Sequence, residues 1–190
     1  MAEAAKLVID IVSDVVCPWC IIGYKQMEAA LESMGDAVDA DLRWHPFELA
    51  PDTPPEGQAL AEYARDRYGA TPDQSRKNRT RIIDAGSPLG IDFRYSDDSR
   101  IYNTFKAHQL LHWAESSGQQ TALKLALFQA YFTAQDNVSD DAILLEAVEA
   151  AGLDRAEAEA VLADQRFGGT VRAEERFWQD QNITGVPAYI

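Results

Sequence analysis

No stretch of this 190-residue chain approaches the run of about eighteen apolar residues that a membrane span needs. The opening MAEAAKLVIDIVSD also lacks the basic start and unbroken apolar run of a secretory leader. Glu3 sits where positive charge belongs, and Asp10 interrupts the chain after Leu7, Val8 and Ile9. Basic residues are scarce, 17 against 31 acidic ones, and the formal net charge of -14 repels nucleic acid and anionic lipid. Internal repeats, low-complexity tracts and exposed linkers are missing as well. These absences lead to the expectation of a cytoplasmic protein with no nucleic-acid and no membrane partner. Thiols rest reduced in that compartment, so a structural disulfide is not expected.

Cysteine is scarcest of all, with two residues, and both fall in DVVCPWCIIG as Cys17 and Cys20. Zinc would need more ligands. His108 and His112 stand four apart on one predicted helix, but no second C-x-x-C exists and the gap to the cysteines is too long for a compact finger. No metal site is expected, and both histidines are read as packing or surface residues.

At this length the chain can bury a core without metal or disulfide support. KLVIDIVSD reads as a short, buried first strand. PWCIIGYKQMEAALESMG reads as a helix, with Pro18 at its first position and Gly35 at its stop. DADLRWHPFEL follows as a second strand, giving a parallel strand–helix–strand opening with a right-handed crossover. Helical patterns then dominate: ALAEYARDRYG, TPDQSRKNRTRIIDAG, SRIYNTFKAHQLLHWAESSG, QQTALKLALFQAYFTAQ, SDDAILLEAVEAAG with Ser139 as N-cap, DRAEAEAVLADQ and GTVRAEERFWQDQ. The β pattern resumes only in ITGVPAYI. The expected fold is α/β, a sheet domain in two parts (1–50 and 168–190) interrupted by a helical insertion (51–167).

Cys17 at the helix cap faces the free N–H groups of the first turn, and Cys20 falls one turn further in. Those donors and the helix dipole favour a thiolate at Cys17, for which a pKa of about 6–7 is expected instead of about 8.5. Cys17 is expected to be exposed at the helix tip, and Cys20 to be shielded with the higher pKa. Such asymmetry suits exchange: Cys17 attacks a disulfide and Cys20 resolves the mixed disulfide. Trp19 between them carries no charge, so a less oxidising couple is expected than with histidine there. No bound cofactor is needed, because the redox equivalent is the pair itself. Near the end, the Val186–Pro187 bond is a candidate cis peptide. If that loop lies beside Cys17, Val186 can pair with an extended substrate strand.

SDVVCPWC, WHPFELAP, the PPEG turn, NTFKAH, SDDAILLEAVEAAGLD and the terminal GVP together resemble the DsbA-like thioredoxin-fold oxidoreductases, most closely their cytosolic FrnE-like branch. The resemblance implies a thioredoxin-like fold with a large helical insertion. It places the nucleophile at Cys17, the resolving thiol at Cys20 and a cis-proline at Pro187, with Val186 just before the cis bond; Val186 and Trp19 are the expected substrate contacts. It also implies further strands and a last helix beyond Pro187, which a sequence ending at Ile190 does not supply. The kappa-class glutathione transferases and 2-hydroxychromene-2-carboxylate isomerases share an aspartate three residues before the nucleophile, as Asp14 stands here, but carry serine at the nucleophile position. Asp14 is read as a loop cap, and Asn103, Thr104 and His108 as structural.

The expected activity is thiol–disulfide exchange, reduction or isomerisation, on disulfide-containing proteins or small thiols such as glutathione. A glutathione-dependent transferase or isomerase and a non-catalytic chaperone or binding module are the alternatives, and a homodimer stays open.

Overall fold

Valine, isoleucine and leucine dominate residues 7–12, and this stretch forms β1 (Ala5–Ser13) in the computed structural model, which describes residues 4–190. Glu3, used above against a leader, lies outside the described residues. Pro18 then opens α1 (Pro18–Met34), whose missing N–H costs nothing at the first helical position, and Gly35 ends it at φ 51. β2 (Val38–Pro46) returns parallel to β1, in register from Ala5↔Val38 to Ser13↔Pro46.

A two-stranded ribbon of β3 (Gln58–Ala59) and β4 (Arg100–Ile101) brackets α2 (Leu60–Tyr68) and α3 (Pro72–Gly86). Thr71 and Gln74 form a reciprocal capping box at the start of α3. There follow α4 (Phe105–Glu115), α5 (Gln120–Gln129) with a wider turn over Ala130–Ala134, α6 (Asp141–Ala150), α7 (Arg155–Asp164) and α8 (Gly168–Asp180). The chain re-enters the sheet as β5 (Ala188–Tyr189), antiparallel to β1, so the strand order is β2-β1-β5. This is a thioredoxin-like α/β fold with a helical insertion. Helices α4, α5 and α8 reach β2, while α3 reaches α1.

Three expectations are corrected. Only the last third of β1 is buried; Leu7 and Val8 are 43% and 46% exposed, because β5 meets β1 only at Ile11 and Val12. Residues 99–104 are not helical. Arg100 and Ile101 pair with β3, the Arg100 guanidinium donates to the Glu56 and Gly57 carbonyls (2.7 Å each), and α4 starts only after Asn103 accepts from Phe105 N. The cap of α6 is Asp140 rather than Ser139: its carboxylate accepts from Ala142 N, while the Ser139 hydroxyl turns to Asn137 Oδ1 at 2.6 Å.

The insertion is tied to the sheet at Trp44. Its ring packs between Tyr24 (5.3 Å between centroids) and Phe128 (6.4 Å), and its Nε1 donates to Thr121 Oγ1. The Gln120 side-chain amide accepts from Trp44 N and donates to Trp44 O, both at 3.0 Å. One amide thereby satisfies the backbone of β2 as a neighbouring strand would. Gln120→Leu leaves both buried backbone groups unpaired, and urea denaturation is expected to show a loss of about 2–4 kcal/mol.

Candidate active site

Strand β1 delivers the chain at Ser13, and a tight turn follows: Cys17 N donates to Asp14 O (3.2 Å) and Cys20 N to Cys17 O (3.1 Å). Cys17 is the N-cap of α1 in extended conformation, as its spacing from Pro18 predicts. Its sulfur, however, makes no cap hydrogen bond to the first turn. It points at the carbonyl of Val186, 3.7 Å away, across the chain from α1. The Val186–Pro187 bond is cis. The close crossing of β5 over α1 brings that loop here. A Cβ at Gly23 would collide with the Tyr189 hydroxyl, so glycine is what permits the approach.

Both cysteines are free thiols, and both are buried, with Cys17 3% and Cys20 0% exposed. The expected exposure of Cys17 is therefore wrong: α2, α3 and the Val186 loop roof the helix tip. Cys17 opens into a cavity of about 270 Å³ that Trp19, Tyr63, Arg79, Tyr95 and Val186 also line. The Arg81 guanidinium lies 5.1 Å from the centre of the Trp19 ring.

The expected order of acidities is reversed as well. The hydrogen bond with the Cys20 sulfur, then burial, push the Cys17 thiol well above its ordinary value. Burial acts against ionisation of Cys20 too, but the Cys17 thiol, the Lys124 ammonium and the Ser13 hydroxyl outweigh it and bring Cys20 below its ordinary value. In this arrangement the contact between the sulfurs favours the proton on Cys17 over Cys20. Helix geometry read from the sequence favours Cys17; the reversal comes first from the hydrogen bond between the two sulfurs and, at Cys20, next from a buried cation that sequence reasoning missed.

That cation is Lys124 of α5, 1% exposed, with its Nζ 3.5 Å from the Ser13 carbonyl and 5.3 and 5.2 Å from the Trp44 and Phe128 ring centres. The signal was there to be read. Gln120, Leu123, Lys124, Leu127 and Phe128 have the 3–4 spacing of a buried helix face, and a lysine on that stripe requires a partner.

Asp14 fixes the wall of the site. Its Oδ2 accepts from Leu49 N at 2.7 Å, and its Oδ1 lies 3.5 Å from His108 Nε2. His108 also donates to the Phe47 carbonyl (3.1 Å), and the Tyr63 hydroxyl donates to the Leu49 carbonyl (3.0 Å). Asp14 thus secures the loop after β2 rather than its own turn. Asn103 Nδ2 holds the same loop through Glu48 Oε2 and the Pro51 carbonyl. His112 lies apart from the cysteines, paired with Glu174 at 3.2 Å. Among the described residues, no group of three or more His, Cys, Asp or Glu side chains is arranged to hold a metal ion, and no helix is long and apolar enough to cross a membrane.

Two free thiols at the tip of the first helix thus face a loop with a cis-proline. Residues 8–190 match the DSBA-like thioredoxin domain, and the chain belongs to that family. It is similar to a probable DsbA oxidoreductase from Streptomyces coelicolor, with 31% identity and a TM-score of 0.86 over 96% of this chain and 79% of that one. It is 27% identical to the uncharacterized protein YwbO of Bacillus subtilis over 96% of this chain and 85% of that protein. Its fold is shared by the cytosolic disulfide reductase DsbM of Pseudomonas aeruginosa, at 20% identity and a TM-score of 0.65, covering 96% of this chain and 83% of DsbM.

Because contact with Cys20 is the largest influence holding Cys17 protonated, Cys20→Ser is expected to lower the Cys17 pKa. Iodoacetamide should then alkylate Cys17 several-fold faster at neutral pH than in the parent protein.

Proposed function

We propose that this protein is a thiol–disulfide oxidoreductase that works through the Cys17-Pro18-Trp19-Cys20 pair. One observation carries this reading: Cys17 Sγ faces the Val186 carbonyl at 3.7 Å, at the edge of a cavity and with a second free thiol one helical turn behind it. The proton shared by the sulfurs passes from Cys17 to Cys20, and the Cys17 thiolate attacks a substrate disulfide. One half leaves as a thiolate, and the other stays bound to Cys17 as a mixed disulfide. Cys20 then attacks Cys17 Sγ, forming the Cys17–Cys20 disulfide and releasing the second thiolate. The substrate gains two electrons and the pair loses two.

Val186 and Trp19 are the substrate contacts in this reading, and Pro187 keeps the Val186 carbonyl facing the sulfur. Burial of Cys17 restricts access to what enters the cavity, which favours small disulfides and extended segments over a disulfide inside a folded domain. Glutathione fits that class. Arg81 beside Trp19 supplies positive charge for its carboxylates, and DsbM, a protein of the same fold, has been solved with glutathione. In a reducing cytoplasm the pair rests as the dithiol, which favours reduction or isomerisation over net oxidation.

An assay of insulin or glutathione-disulfide reduction tests the proposal. Cys17→Ser should abolish turnover, and Cys20→Ser should accumulate a mixed disulfide visible by mass. Turnover that survives Cys17→Ser would overturn it.

A further inference from the structure

Cys20 has to lose a proton before it can resolve the mixed disulfide, and it is sealed from solvent. Its proton therefore needs a route through the protein. Beside the Lys124 side chain lies a second cavity of about 10 Å³, the size of a single water. Lys124 lines it, and so do all three histidines of the chain, His45, His108 and His112, together with Glu174. The lining runs from buried to exposed: the Lys124 and His108 side chains are sealed, whereas those of His45, His112 and Glu174 are 21%, 23% and 30% exposed. Each histidine has its own partner, Asp10 for His45, the Phe47 carbonyl for His108 and Glu174 for His112, and together with Lys124 they place titratable groups along one cavity from the core to the surface.

We propose that Lys124 takes the proton of Cys20 during resolution and that the histidine-lined cavity passes it to solvent. The proposal rests on the oxidoreductase reading above. The groups facing Lys124 are Asp14 from the turn after β1, Cys17 and Cys20 from α1, His45 from β2, His108 and His112 from α4, and Glu174 from α8. Burial lowers the Lys124 ammonium to about 8, against the opposing pull of Cys20, Asp14 and Cys17. It is therefore charged at neutral pH yet close to releasing its proton.

When Cys17 captures a substrate, the negative charge of the pair leaves with the first thiolate. That removes one of the charges holding the proton on Lys124, which gives it up through the cavity. The neutral amine then accepts the Cys20 proton, the Cys20 thiolate attacks Cys17 Sγ, and the Cys17–S bond to the substrate breaks. The second thiolate departs with the electron pair and is protonated by solvent. The proton of the pair ends on Lys124, the proton Lys124 gave up neutralises one departing thiolate, and water supplies the proton of the other; the pair loses two electrons and the substrate gains them.

Lys124→Met, which keeps length and removes charge, tests this by stopped-flow tryptophan fluorescence of Cys17–Cys20 closure from a preformed glutathione mixed disulfide. At pH 7 closure should slow by about thirtyfold, the deficit in thiolate of an ordinary thiol with a pKa of about 8.5. The rate should rise towards that of the parent as pH climbs through the thiol range. A deficit of equal factor at every pH, or an unchanged profile, would overturn the proposal. Should the variant fail to fold, 15N NMR of Lys124 Nζ in the parent protein decides: its titration must lie lower in the disulfide form than in the dithiol form, and identical titrations overturn the route. A parent protein that closes no disulfide sinks the oxidoreductase reading and this route with it. An active parent with an unaltered Lys124→Met profile overturns the route alone.

Discussion

One side-chain amide makes a two-point contact between the two parts of this molecule. Gln120 pairs with both backbone groups of Trp44, so the first turn of α5 lies against β2 in the place of another strand. The geometry of that pairing is strict, because a two-point amide contact fixes orientation as well as distance. Once Gln120 is seated, the helical repeat puts Lys124 one turn later on the same face, beside the Ser13 carbonyl and the base of the cysteine turn. The insertion therefore forms the back wall of the candidate site.

Electrostatics follow from that placement. Cys17, Cys20, Asp14 and Lys124 are all sealed from water, and none could carry charge alone at tolerable cost. Together they compensate. Against burial, the Cys17 thiol and the Lys124 charge lower the Cys20 pKa, and Asp14 Oδ2 accepts from Leu49 N while its Oδ1 lies 3.5 Å from His108 Nε2. Burial strengthens each of these interactions relative to water, so a small rearrangement of charge on the sulfurs is felt at Lys124.

The loop after β2 receives comparable attention from the fold. Phe47, Leu49 and Pro51 each have a backbone group held by a side chain from elsewhere, namely His108, then Asp14 and Tyr63, then Asn103. Leu49 and Tyr63 line the cavity that Cys17 faces. A loop secured at so many points gives the cavity a fixed wall, which suits recognition of small or extended partners better than engulfing a folded one.

Local signals determined much of this protein. Pro18 and Gly35 set the limits of α1, a β-branched run set β1, and the spacing of Cys17 and Cys20 put the first at a helix cap and the second one turn inside. Each depends on interactions within a few residues, which is why composition and spacing suffice. Burial of Cys17, the reversed acidities, the short pairing of Arg100 and Ile101, and the role of Asp14 were decided only by tertiary structure. All four arise from residues far apart in the chain: Val186 over Cys17, Lys124 near Cys20, Gln58 beside Ile101, Leu49 on Asp14. Local sequence reports the helix field at a sulfur, but the contact between the two sulfurs, their burial and the Lys124 charge near Cys20 exist only once the chain has folded.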